Sequence, residues 1–229
     1  MTAIHSAVPS LCPKSIAHGK LSDSSDYFLL TEFIDMEAVG GGQNSGLSLA
    51  QKLAKLHSSP APVPRGLTRP AFGFPVMTCV GRTPQNNSWS RSWPKFFAEN
   101  RLRPVCKLVE KNHGVDTQLT SLLDRIVQEV VPRLLGNGHL GGRKGGVQPA
   151  LVHGDLWSGN KARGRVGGKG GIEEVTFDAG ACYAHSEYDL GIMRMFGGFS
   201  AGFFNEYHRL IPKSEPKNEY DDRLALYEL

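Results

Sequence analysis

Three side chains in the second half of this 229-residue chain have the types and spacing for phosphoryl-transfer chemistry. Asp155 and Asn160 stand five positions apart in Leu151-Val152-His153-Gly154-Asp155-Leu156-Trp157-Ser158-Gly159-Asn160, and Asp178 follows the run Glu174-Val175-Thr176-Phe177. A carboxylate such as Asp155 orients a substrate hydroxyl and takes its proton late. An amide oxygen (Asn160) and a second carboxylate (Asp178) offer the oxygen donors that a hard cation such as magnesium prefers. The protein then has little covalent chemistry to do beyond holding the hydroxyl in line and covering the transferring oxygens with positive charge.

Both segments are positioned by short apolar runs. Pro149-Ala150-Leu151-Val152 predicts a buried strand that breaks into a polar, glycine-containing loop at His153, and Glu174–Phe177 predicts a second strand delivering Asp178. Upstream, Ala3, Ile4 and Ala7 fit one face of a short helix stopped by Pro9, and Tyr27–Phe33 reads as a strand antiparallel to a partner within Ser10–Lys20. Leu49, Leu53 and Leu56 predict an amphipathic helix ending at His57, a residue read as capping or packing. Four prolines make 58–70 a loop, and Pro75–Val80 is a possible strand. Ser92 caps a helix that Pro104 should interrupt. Asp116 caps another, carrying Leu119, Leu122, Leu123, Ile126, Val127, Val130, Val131 and Leu134, which Pro132 should kink or end. Lys161–Gly171, rich in glycine and basic residues, reads as a loose hairpin tip. Three further helical stretches, around Leu190–Phe196, Phe203–Tyr207 and Tyr220–Leu229, complete the chain.

The Asp–Asn interval is that of the kinase catalytic loop, H-x-D-x-x-x-x-N. The wider pattern resembles the fructosamine kinase family, which includes fructosamine 3-kinases and ketosamine (ribulosamine) 3-kinases. The resemblance is carried by His153-Gly154-Asp155-Leu156-Trp157-Ser158-Gly159-Asn160, Phe177-Asp178, His185-Ser186-Glu187-Tyr188-Asp189-Leu190 and Met195-Phe196-Gly197-Gly198-Phe199, with Phe72-Gly73-Phe74, Pro84–Trp89, Trp93 and Phe97–Leu102 in the same order upstream. It implies an α+β, protein-kinase-like (aminoglycoside-phosphotransferase-like) fold, with an incomplete small N-terminal lobe and hinge over residues 1–39 and a mainly helical lobe over 40–229, divided near Gly40-Gly41-Gly42. It further implies ATP and magnesium as cofactors and ketosamines, small or on glycated proteins, as substrates phosphorylated at the sugar 3-hydroxyl. Asp155 becomes the catalytic residue, and Asn160 and Asp178 the metal ligands. Trp157 becomes a stacking face for the sugar, with His185 and Glu187 as further substrate-side polar groups. The segment Glu32, Phe33, Ile34 and Met36 resembles the hinge whose backbone reads the adenine edge. His153 is expected to hold the loop, and Asp189 to brace it.

Two departures stand out. Ala179-Gly180 follows Asp178 where the family often has Pro-Ala. No G-x-G-x-x-G precedes Tyr27, and neither Lys14 nor Lys20 lies in the strand context of an ATP-binding lysine. The resemblance implies family sequence beyond both ends of this chain, so little turnover is expected of it as written. A non-catalytic pseudokinase or binding fragment, and a kinase of the aminoglycoside or choline type, remain the alternatives.

Composition bounds the reading. A hydrophobic content of 40% with 21% charged residues is that of a globular protein. The net charge of +4 comes without a basic block long enough for nucleic-acid binding. Cys12, Cys79, Cys106 and Cys182 are far apart and without zinc-ligand spacing, which fits reduced thiols. With no signal-peptide pattern and no apolar run near the roughly 20 residues that span a bilayer, a cytoplasmic protein without membrane or nucleic-acid partners is expected.

Overall fold

The computed structural model describes residues 1–36, 45–142, 146–168 and 170–229. The Gly40–Gly42 boundary expected from the sequence therefore lies outside the described residues.

The chain opens with helix α1 (Thr2–Ala7), whose Ile4 is fully buried, and a hairpin of β1 (Ser15–Lys20) and β2 (Tyr27–Thr31). Ala17 faces Leu30 and Lys20 faces Tyr27. Tyr27, Phe28, Leu29 and Leu30 are all exposed, so neither face of β2 is covered. The two-residue strand β3 (Ile34–Asp35) follows. Helix α2 (Leu49–His57) starts with a capping box: Ser48 Oγ accepts from the Gln51 amide, and Gln51 Oε1 accepts from the Ser48 amide. Glu174 adds a carboxylate to that N-terminus by accepting from the Leu49 amide at 2.8 Å. The helix buries Leu49, Leu53 and Leu56 as their spacing requires, and it ends at His57.

A small hairpin, β4 (Thr78–Val80) with β5 (Thr83–Gln85), precedes two long helical passages. Ser92 caps α3 (Trp93–Phe97), which passes through a π-helical turn, Ala98–Leu102, into α4 (Arg103–His113). Asp116 caps α5 (Thr117–Arg125) by accepting from the Gln118 and Leu119 amides, and a second π turn, Ile126–Val130, leads into α6 (Val131–Leu135). Pro104, expected to interrupt its helix, lies within a continuous helical passage, and the passage that holds Pro132, expected to kink or end there, runs on to Leu135. Each proline sits at the second position after a π turn. There the widened i→i+5 ladder leaves no i→i−4 bond for the ring to remove.

The central strands come next. In β6 (Ala150–Val152) every residue is buried. β7 (Lys161–Val166) and β8 (Glu173–Thr176) form an antiparallel pair, Lys161 facing Thr176 and Gly164 facing Glu173, and β3 joins β7 on its other side. This corrects the expectation of a loose tip over Lys161–Gly171. Ala162, Gly164 and Val166 alternate with Lys161, Arg163 and Arg165, and the basic and glycine content masks that period-2 pattern. Gly164 is required there, because a Cβ would lie 2.5 Å from the Asp35 carbonyl oxygen. β9 (Cys182–Ala184) pairs antiparallel with β6, Leu151 facing Tyr183. Helices α7 (Glu187–Phe196), α8 (Ala201–Leu210) and α9 (Tyr220–Tyr227) follow, with α7 against α9 and α2 against α8. The core joins Ile4, Leu53, Leu56, Phe72, Trp93, Phe96, Leu151, Val152, Leu156, Leu190 and Met193 into one cluster. The α+β class and the mainly helical C-terminal part are as the sequence implies.

Two buried charges tie elements together. Lys52 on α2 donates to the Ser10 carbonyl, the Glu174 carbonyl and the Glu173 carboxylate at 2.6–2.8 Å, so all three of its hydrogens are used. Arg223 on α9 makes a forked pair with Glu187 (2.7 and 3.1 Å) and also donates to the Ser214 and Pro216 carbonyls. Removing one member of a buried pair leaves the other charged and unpaired. Arg223→Leu is therefore expected to cost about 3–5 kcal/mol of folding free energy, read as a lowered urea midpoint at unchanged slope.

Candidate active site

Strand β6 ends in the loop that holds Asp155 and Asn160. Gly154 has φ +80, and a Cβ there would sit 2.3 Å from the Gly180 carbonyl oxygen, so the loop after β6 and the loop before β9 can meet only at glycine. The loop is pinned from three sides. The Asp189 carboxylate, fully buried on α7, accepts the His153 amide on Oδ2 and the Gly154 amide on Oδ1, both at 2.8 Å. His153 Nε2 donates to the Phe177 carbonyl at 3.1 Å, while its Nδ1 accepts from the Asp155 amide at 3.3 Å. Burial depresses the His153 pKa despite the opposing pull of Asp189, so the ring is neutral and both its nitrogens serve structure. Third, Asn160 Nδ2 donates to the Asp155 carbonyl (2.8 Å) and to Asp155 Oδ2 (3.1 Å), and the Asn160 carbonyl accepts from the Phe177 amide.

Asp155 is thus held at both its backbone and its carboxylate. Burial raises its pKa, the Asn160 bond opposes that, and the nearby Asp178 and Asp189 charges add to the rise. The Asn160 amide nitrogen is spent on Asp155, which leaves its oxygen for other partners. Asp178 is exposed and sits at φ +57 just past the β8 strand. An amide oxygen and an exposed carboxylate flanking Asp155 are the oxygen donors magnesium takes. Among the described residues no group of three or more His, Cys, Asp or Glu is gathered as a metal site.

Trp157 is 38% exposed, with its ring over Gly159, where a Cβ would collide with it, and 5.6 Å from the exposed Phe196 ring. Trp157 is therefore a surface step two residues from Asp155. His185 and Glu187, expected on the substrate side, are instead taken up inside the protein. His185 bonds Tyr227 Oη (2.8 Å) and Ser214 Oγ (2.9 Å), and Glu187 bonds Arg223 and the Ser214 amide. Both are at most 2% exposed and lock α9 and the 214 loop onto α7.

The residues expected to form a hinge, Glu32, Phe33, Ile34 and Met36, lie where β3 meets β7. Ile34 pairs with Val166, the Phe33 carbonyl accepts from the Gly167 amide, and the Glu32 amide donates to the Lys14 carbonyl. The Glu32 carbonyl accepts from Thr31 Oγ1. β3 is an edge strand, and the Phe33 and Met36 side chains are exposed beside it. Sequence reasoning missed the second layer beneath Asp189. His57 Nε2 lies 3.1 Å from Asp189 Oδ2 and His57 Nδ1 lies 2.7 Å from Tyr207 Oη, yet a histidine at a helix end and a tyrosine on an amphipathic face carry no signal of such pairing.

The fructosamine kinase family pattern matches residues 1–229. The chain belongs to the fructosamine kinase family. A mouse (Mus musculus) ketosamine-3-kinase is 40% identical over 158 residues, covering 69% of this chain and 45% of the relative. A chloroplastic protein-ribulosamine 3-kinase of Arabidopsis thaliana is 34% identical over 209 residues, covering 91% and 56%. A crystal structure from Haemophilus somnus, named as a fructosamine-3-kinase, superposes over 99% of this chain and 66% of its own with a TM-score of 0.74 at 24% identity, which shows a shared fold. The chain thus spans about half the length of these two curated relatives.

Two predictions follow from the electrostatics. Because burial raises the Asp155 pKa, its charged form destabilises the fold: the contribution is favourable at low pH and is lost as pH rises through the folded pKa. Asp155→Asn keeps an oxygen for Asn160 and is expected to melt slightly higher than the native chain at pH 7, the difference closing on acidification. Calorimetric melting across pH 4–7 reads this. Burial also drives the His185 pKa from 6.5 to about 4, against the pull of Glu187 and with Arg223 and His57 adding to the drop. The unfolded ring takes up a proton that the folded ring refuses, so stability falls as pH falls from 6.5 toward 4. His185→Gln is expected to flatten that decline, with His153 and His208, also lowered by burial, keeping a remainder.

Proposed function

We propose that this chain carries the catalytic-loop part of an ATP-dependent ketosamine 3-kinase, a phosphotransferase acting on ribulosamine or fructosamine adducts, small or on glycated proteins, in the cytoplasm. The observation that supports it most is the pinned carboxylate of Asp155, bonded by Asn160 and flanked by Asp178. In this reading Asp155 orients the sugar hydroxyl and accepts its proton as the phosphoryl group leaves ATP. Asn160 and Asp178 would hold magnesium, which when bound neutralises charge on the phosphates. The exposed Trp157 ring offers a flat apolar surface to the C–H face of the sugar. The Glu32–Met36 segment at β3 would present backbone to the adenine edge.

One buried cation is already committed elsewhere. Lys52, the fully buried lysine of α2, has spent its three hydrogens on Ser10, Glu173 and Glu174 and offers none to a nucleotide. No helix among the described residues is long and apolar enough to cross a membrane.

The test is titration calorimetry of Mg-ATP into the 229-residue chain and its Asp178→Asn variant, followed by a phosphorylation assay on a ribulosamine-modified peptide. Binding that Asp178→Asn weakens at least tenfold, about 1.4 kcal/mol, is the expected result. Equal binding by both forms, or phosphate transfer surviving Asp155→Asn, overturns the assignment of these residues.

A further inference from the structure

The loop brace does not end at Asp189. Its carboxylate has two backbone N–H groups of the catalytic loop on one side and a histidine from a distant helix on the other: His57 at the C-terminus of α2, Nε2 to Oδ2 at 3.1 Å. The other nitrogen of that ring meets Tyr207 Oη of α8 at 2.7 Å, with the two rings edge to face at 5.7 Å. His57, Asp189 and Tyr207 are all buried. Nε2–H donates to the carboxylate, and Nδ1 shares a hydrogen bond with the phenol. Burial pushes the Tyr207 pKa well above its ordinary value, which keeps the phenol protonated.

We infer that His57 and Tyr207 are positioning residues for Asp155: the chain Tyr207–His57–Asp189 orients the Asp189 carboxylate so that both its oxygens face the His153 and Gly154 amides. The two amides, one on each oxygen, set the plane of the carboxylate but tie it only to the loop it holds. The His57 bond on Oδ2 ties it to a separate helix as well, and Tyr207 fixes the ring that makes that bond. The chain also joins α2, α7 and α8 at the foot of the catalytic loop, so α2–α8 packing is transmitted to the carboxylate that meets the substrate hydroxyl. The kinetic part of this inference rests on the proposed phosphotransferase activity, while the structural part does not.

The test uses the full chain with Tyr207→Phe, which removes one hydroxyl and keeps the ring, together with His57→Phe and His57→Gln. Gln retains an N–H donor able to reach Asp189. Amide hydrogen exchange is read at His153 and Gly154, with the α9 amides as the internal control. The expected result is an approximately tenfold or greater loss of protection at His153 and Gly154 in Tyr207→Phe and His57→Phe. The α9 amides should be unchanged, and protection should be partly restored in His57→Gln. Where ribulosamine phosphorylation is measurable, kcat should fall by a similar factor with both KM values unchanged. Loss of protection spread equally over α9 would reveal a purely structural role and overturn the inference, as would native protection in all three variants. If the native chain phosphorylates no ketosamine, the functional reading fails alone, and the exchange data still decide the brace.

Discussion

A single carboxylate with no access to solvent organises this fold. Asp189 is fully buried, and burial by itself would favour the protonated form. The His57 bond and the two loop amides outweigh that penalty and hold the carboxyl below its usual range. An ion in such a place is tolerable only while every partner is present. The loop after β6, the end of α2 and the start of α7 are therefore not independent pieces: each supplies something the charge requires. The loop after β6 takes its shape because the alternative is an unsolvated anion.

The same logic recurs at two other points. Glu187 is held by Arg223 and the Ser214 amide, and Lys52 by Ser10, Glu173 and Glu174. In each case a buried charge crosses between elements remote in sequence, where apolar contact alone would leave the register loose. Lys52 and Glu174 together fasten the β7–β8 hairpin to α2, while Asp189 and His57 fasten the loop after β6 to the same helix. Helix α2 is thus a common anchor for the Asp155–Asn160 segment and for the strand that delivers Asp178. Their relative placement is set by one rigid body.

Much of this was legible in the sequence. The spacing of Leu49, Leu53 and Leu56 marked α2, Ser92 and Asp116 marked helix starts, and the run before His153 marked a buried strand. Each of these signals is local and period-based. The interval from Asp155 to Asn160 found the pinned pair because both residues sit in one short loop. What escaped needed information from elsewhere in the chain. The prolines at 104 and 132 looked like breakers because a π turn leaves no simple sequence trace, and the alternation in β7 was hidden by arginine and glycine. His185 and Glu187 looked like site residues because polar side chains near a motif suggest a surface. Their partners, Tyr227, Ser214 and Arg223, lie 27–42 positions away and remove them from solvent.

Asp178 carries a consequence for how variation at this position is to be interpreted. Its backbone occupies the left-handed region, which glycine, asparagine and aspartate enter at little cost and other residues do not. Glycine would keep the turn and discard the carboxylate, and glutamate would keep the carboxylate and strain the turn. Asparagine keeps the turn and one oxygen donor without the charge. Conformation and chemistry therefore intersect on aspartate alone, so an alanine there changes two things at once, and its phenotype cannot be assigned to either.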